Sequence, residues 1–289
     1  MDFRTDLALE RHEELRCTPT NGIESQIYEK SGVTFTKIKV TDARGEQSLG
    51  KPIGTYITAE IPSLADQSPL CDELIGTIGA ELRSLLPKEG TVLVVGLGNT
   101  DITPDAVGPE SVSLVLATRH ISRELSESVG LGNLRPVAGF VPGVLGRTGI
   151  ESAEAVKGLA ERIRPSAVIV TDALAARRLK RLGNTVQMSD TGIIPGSGVG
   201  NARAEINRET LGIPVISVGV PTVVDAQTLV NDLTGDEAEI SREENKRMII
   251  TPREIDLVVE RASRIIGLSI NKALQPHLST DEIMMLVGD

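Results

Sequence analysis

Two stretches near the start of the chain, VTFTKIKVT (33–41) and IGTYITAEI (53–61), alternate apolar and polar residues with a period of two. That is the signature of half-buried strands. With DARGEQSLGKP between them, they predict a β-hairpin spanning 33–61. The period then changes. In DELIGTIGAELRSLL (72–86), Leu74, Ile75, Ile78, Leu82, Leu85 and Leu86 recur at helical spacing. From there, short apolar runs alternate with helical ones. TVLVV (91–95), AVIVT (167–171) and PVISVGV (214–220) predict buried strands. ESAEAVKGLAERI (151–163) and ALAARRLKRL (173–182, ending at Gly183) predict helices, as do the residues from Pro221 onward. TPREIDLVVERASRIIGLSINKAL (251–274) predicts another, with Thr251 as N-cap, Pro252 as first residue and Glu254 at the third position. Strands alternating with helices imply a three-layer α/β/α sandwich, with a mostly parallel sheet plus the N-terminal hairpin.

A length of 289 residues allows one large α/β domain as well as two domains. Of 289 residues, 40% are hydrophobic but only 2% aromatic, so the core is built from Val, Ile, Leu and Ala. A net charge of −10 with no basic cluster argues against direct nucleic-acid binding. Cys17 and Cys71 make neither a disulfide framework nor a metal knuckle. The charged start MDFRTDLALERHEEL is unlike a signal peptide, and the longest apolar run, IPVISVGVPTVV (213–224), is broken by Pro, Ser and Gly. A cytoplasmic protein without membrane contact is expected. GDEAEISREENKR (235–247) reads as an acidic surface loop.

Candidate chemistry centres on VVGLGNTDITPDAVGP (94–109). A strand running into Gly96-Leu97-Gly98 suggests a phosphate loop, but the dinucleotide pattern requires a third glycine where Asp101 stands, and no P-loop lysine follows. Asp101 and Asp105 would also repel an anion. Thr103 and Pro104 predict a helix start, with Asp105 in its first turn. Asp172 ends the strand AVIVT in the same way. Each aspartate suits a capping role equally well. Both, however, fall at the carboxyl ends of strands, where open α/β sheets bind ligands. If the two strands are neighbours the carboxylates face one another and share one proton, so one can activate water while the other protonates a leaving group, as amide hydrolysis requires.

Other residues carry less. His12, His120 and His277 form no H-E-x-x-H motif, and His120 reads as helix surface or core. PGSGVGN (195–201) lacks the first glycine of a nucleophile elbow, though its backbone could cradle a carbonyl or carboxylate. Asp225 in GVPTVVDA reads as solvent-facing or a local cap. Two other function classes stand beside hydrolysis. One is a nucleoside- or phosphate-binding transferase on a similar sheet, which would need a phosphate cradle. The other is a non-catalytic binding protein, which would not need both aspartates.

RTDLALE (4–10), KPIGTYITAE (51–60), GLGN with TPDAVGP, VTDALAAR (170–177), TGIIPGSGVGN (191–201) and ETLGIPVISVGVPTVVDA (209–226) occur in order along the chain. Together they resemble the germination protease family of spore-forming bacteria, the endopeptidases that degrade small acid-soluble spore proteins. The resemblance implies a fold similar to hydrogenase-maturation endopeptidases, a homotetramer made as a zymogen, and location in the spore core. It places the family's two essential aspartates on Asp105 and Asp172. It implies an acid dyad needing no cofactor, with a divalent metal at the Asp pair as the alternative. In the hydrogenase-maturation relatives a histidine joins the acids to bind nickel, whereas this sequence has none between His120 and His277. Candidate substrate-binding positions are Gly96, Gly98, Asn99, Gly196, Ser197 and Gly198. The family cuts after an acidic and before a large apolar residue. RTDLALE therefore implies self-cleavage between Asp6 and Leu7, dividing a short pro-segment (1–6) from a single peptidase domain (7–289).

Overall fold

The computed structural model describes residues 5–15, 21–66, 71–197, 203–234 and 248–288. Nine strands form one sheet: β1 (Ile23–Lys30), β2 (Val33–Val40), β3 (Gly54–Glu60), β4 (Val92–Gly96), β5 (Val137–Phe140), β6 (Ala167–Ala176), β7 (Thr185–Ser189), β8 (Val215–Asp225) and β9 (Ile249–Ile250). Their spatial order is β1-β2-β3-β7-β8-β6-β4-β5, with β9 against the end of β8. The block β8-β6-β4-β5 is parallel, and β7, β3, β2 and β1 extend it as an antiparallel wing.

The parallel strands are mostly apolar because both faces are covered. Val92 and Val94 of β4, with Ile169 of β6, face the helices Asp72–Leu85, Val107–Ser113 and Ile255–Leu274. The alternating residues Leu93, Val95, Val168 and Val170 pack against Val156 of the helix Ser152–Ile163 on the other side. These are the three expected layers.

Several elements differ from the sequence expectation. The tight hairpin is β1–β2, turning at Ser31 (φ 50°) and Gly32 (φ 73°). Consecutive left-handed residues match the strand twist there. The stretch 53–61 does pair with β2, from Thr34↔Glu60 to Val40↔Gly54, but on its other edge. The connection holds a helix, Ala43–Leu49, whose N-cap Asp42 accepts from Arg44 N and Gly45 N. ALAARRLKRL is not a helix: β6 runs on to Ala176 beside β8, and only Leu179–Arg181 makes a 3-10 turn. Burial between two layers outweighs the helix propensity of its alanines. Likewise β8 continues through Pro221, with a register shift opposite Leu174/Ala175, as far as Asp225. Pro221 has no N–H to give the ladder, and the irregularity accommodates it. Asp225 is buried and caps the helix Ala226–Thr234 by accepting from Thr228 N (3.1 Å). The long helix begins at Ile255 after Glu254, while Thr251 donates to Thr222 O (2.9 Å) instead of capping. His120 lies on an exposed turn, neither core nor helix. The acidic stretch 235–247 and Cys17 lie outside the described residues, and Cys71 is exposed. No described helix is long and apolar enough to cross a membrane.

Candidate active site

The parallel order β5-β4-β6-β8 makes β4/β6 the switch point, where crossovers leave in opposite directions and a crevice opens. The last rung between the two strands is Gly96↔Thr171, after which Leu97 N donates to Thr171 O (2.9 Å) and the β4 chain turns away. Asp172 is therefore the first β6 residue beyond the end of β4. It is buried within the strand opposite Gly219 of β8 rather than capping a helix.

The glycine turn folds its own continuation back over the strand end. Gly98 has φ 118°, and Asn99 N donates to Asp105 O (3.0 Å). A Cβ on Gly98 would lie 2.0 Å from Asp105 O, and one on Gly96 2.4 Å from Gly108 O. Glycine at these positions lets backbone meet backbone, which sets Asp105 above the end of β4. Asp105 ends a 3-10 turn, Thr103–Asp105, whose preceding residue is Ile102, so Thr103 is not the cap. Asp101 points elsewhere, into a surface ion pair with Arg147 (2.8 Å).

Asp105 and Asp172 line one cavity of about 650 Å³, together with Gly98, Asn99 and Gly196. Gly96 is buried beneath Gly108 and does not line it. Gly198 lies outside the described residues. Desolvation pushes the Asp105 carboxyl from its usual 3.8 up to about 6, against the opposing pull of an Asn99 hydrogen bond. Asp172 is raised well above the carboxylate range, first by burial and then by the charges of Asp105 and Asp6. Two acids whose environments separate them in this way can hold one proton between them.

Asp6 lies in the same crevice. Beyond Thr171 the β4-facing edge of β6 is open, and Asp6 takes it: Asp6 N donates to Ala175 O (2.9 Å), and Ala175 N donates to Asp6 Oδ2 (2.8 Å). Ser197 Oγ donates to Asp6 Oδ1 (2.9 Å). Leu7 is fully buried against Leu174 and Ala176. Asp6 separates the aspartate cavity from a second one, about 420 Å³, lined by Lys51, Gln187 and Ser197. The helix Ala8–Leu15 anchors this arrangement. Glu10, buried, accepts from Arg177 N (2.7 Å) and Arg178 N (2.8 Å), and Glu13 pairs with Arg178 (2.7 Å) and Arg181 (2.8 Å). Thr5 Oγ1 accepts from Leu7 N (3.1 Å) and donates to Glu10, so it closes the turn before the helix rather than capping it. Sequence reasoning missed Lys51 and Gln187, which reach Asp6 from far along the chain; no spacing links them.

A divalent ion needs several donors in one place. Among the described residues, no group of three or more His, Cys, Asp or Glu side chains could hold one, and Asp105 and Asp172 are the two carboxylates at the cavity.

Among solved structures the chain is similar to a NiFe hydrogenase maturation protease from Thermococcus kodakarensis, 14% identical, covering 66% of this chain and 99% of that one, with a TM-score of 0.35. The germination protease of Caldanaerobacter subterraneus subsp. tengcongensis is 41% identical over 320 residues, 99% of this chain and 98% of its own. That of Clostridium perfringens (strain ATCC 13124) is 41% identical over 319 residues, 98% of each. That of Bacillus cereus (strain ATCC 10987) is 46% identical over 240 residues, covering 79% of this chain and 65% of its own. The family model described as germination protease matches residues 4–235. With the glycine turn, the two aspartates and the docked start all inside that span, the chain belongs to the germination protease family.

Proposed function

We propose that this endopeptidase opens the degradation of small acid-soluble spore proteins during germination, using Asp105 and Asp172 as its catalytic pair. On this reading it acts in the spore core as a homotetramer. It is made as a zymogen that cuts its own Asp6–Leu7 bond, and its substrates are cut after an acidic and before a large apolar residue. The observation that carries the reading is the docked start of the chain. An acidic residue followed by a large apolar one lies across the crevice beside the pair, its carboxylate held by Ala175 N and Ser197 Oγ and its leucine fully buried.

The pair has a division of labour set by burial. Asp172, the deeper group and the more strongly raised, keeps the shared proton, while Asp105 ionises above about pH 6. Asp105 takes a proton from water as the water oxygen attacks the Asp6 carbonyl carbon. Asp172 gives its proton to the Leu7 nitrogen as the C–N bond breaks. The products are an Asp6 carboxyl terminus and a Leu7 amine. No step is routed through a metal.

The test is intact mass of the full chain during incubation at mildly acidic pH. Loss of the segment ending at Asp6 is expected from the unaltered protein, and no loss from Asp105→Asn or Asp172→Asn. A processed Asn variant would overturn the dyad, and cutting at another bond would overturn the self-cleavage site.

A further inference from the structure

Opposite the acid pair, the Asp6–Leu7 peptide has a second set of partners. Gln187 Nε2 donates to the Asp6 carbonyl oxygen at 2.9 Å, and Lys51 Nζ donates to the same oxygen at 3.1 Å. Gln187 Oε1 also accepts from Ala8 N (2.7 Å), so one amide side chain holds the backbone on both sides of Leu7. Lys51 reaches Thr5 O as well, at 3.4 Å. Strand placement explains how these groups meet. Gln187 lies on β7, paired with Thr58 of β3 and Gly219 of β8, and Lys51 follows the helix that leads into β3. Lys51 and Gln187 line the cavity on one side of Asp6, and Asp105 and Asp172 the cavity on the other.

We propose that Lys51 and Gln187 form the oxyanion hole for the peptide bond that is cut. The inference rests on the proposed function above, and it adds groups which that reading does not use. As water attacks the Asp6 carbonyl carbon, the C=O electron pair moves onto oxygen, and the negative charge develops where an ammonium and an amide N–H already point. When the C–N bond breaks and Leu7 N takes its proton from Asp172, the carbonyl reforms and the charge disperses. Donors fixed before the reaction need no reorganisation, and they act most strongly away from water. Lys51 is such a group: burial pulls its ammonium pKa down, opposed by the negative charge of Asp6, with Arg11 and Glu10 adding smaller opposing effects. An ammonium held close to its target in this way has lost much of its hydration, and the gain is largest for an oxyanion.

The experiment follows Asp6–Leu7 scission by intact mass in the full chain, with hydrogen exchange of residues 5–8 as the docking readout. The variants are Lys51→Met, which removes the cation, and Gln187→Glu, which keeps an acceptor for Ala8 N but loses the donor. Each is expected to slow scission about 100-fold or more while the segment stays protected. Lys51→Arg, which keeps a cationic donor, is expected to recover at least about tenfold over Lys51→Met. Scission within about threefold of the unaltered chain would overturn the inference. So would slowing that merely tracks lost protection, because Lys51 and Gln187 would then only dock the segment. Scission in Asp105→Asn would sink the dyad alone. An unaltered chain that never cuts at this bond would sink the self-cleavage reading and this inference with it.

Discussion

Replacing Asp105 by Asn should abolish cleavage yet make the protein more stable, by an amount that grows as pH rises from about 4 through about 6. A carboxyl whose folded pKa lies above its unfolded value stabilises the fold while protonated. That benefit is complete below the usual 3.8 and is lost as pH rises through about 6. The interval is about two pH units, or ~3 kcal/mol at most. Asp105 keeps part of its surface in water, which screens the effect, so about 2 kcal/mol is the reasonable expectation. Asparagine carries no such charge and is close in shape to the protonated acid. Its advantage should therefore vanish near pH 3.5 and reach its full value by pH 7.5. It should also relieve Asp172, whose raised pKa owes its second largest contribution to the Asp105 charge. For a chain of this size about 2 kcal/mol corresponds to a Tm rise of roughly 5 °C. The assay is thermal unfolding of both proteins by circular dichroism at three pH values, with activity measured in parallel. An equal Tm difference at all three would show that Asp105 is not a desolvated acid. So would an Asn variant less stable at pH 7.5.

Cleavage should rise with pH through about 6, as Asp105 becomes able to accept a proton, and fall again at higher pH as Asp172 gives up its own; a pH profile with no acid limb would contradict the assignment of base and acid. Removing the segment that ends at Asp6 takes away one of the charges that raise Asp172, so the alkaline limb should move to lower pH in the processed protein. Dialysis against a strong chelator should leave the cleavage rate unchanged, and loss of activity restored by one divalent ion would replace the dyad with metal-activated water. Gly98→Ala forces a side chain into φ 118° with its Cβ 2.0 Å from Asp105 O. It should cost about 2–3 kcal/mol by urea unfolding and at least about tenfold in rate, and wild-type behaviour would mean that the turn does not position Asp105.

Much of the layer architecture was legible because its signal is local. β4 and the helix Asp72–Leu85 announce themselves through runs and periods within a single window of sequence. Two of the differences share one cause. ALAARRL has helical composition, yet Ala173–Ala176 is strand because β8, some fifty residues later in sequence, supplies the ladder. Pro221 suggests a helix start and instead sits at an irregularity of that same ladder. β1, IESQIYEK, was overlooked because an edge strand buries little and so shows little alternation. At Ala173–Ala176 and Pro221, tertiary pairing overrode the preference of the segment.

The site divides along the same line. Asp105 and Asp172 could be found because strand ends in an α/β sheet mark the crevice, and each lies just past an apolar run. What local sequence could not convey is that β6 continues beyond β4 and so leaves an open strand edge at the carboxylates. That edge explains why Asp6 can be held beside Leu7, its N–H donating to Ala175 O and its carboxylate accepting from Ala175 N. Once Asp6 is placed there, its remaining oxygens must be satisfied by whatever the fold brings near, and these are Ser197, Gln187 and Lys51. None of the three has a motif of its own. Their chemistry follows from the strand edge, which holds the Asp6 peptide by its N–H, its carboxylate and its carbonyl oxygen in the cavity that the two acids line.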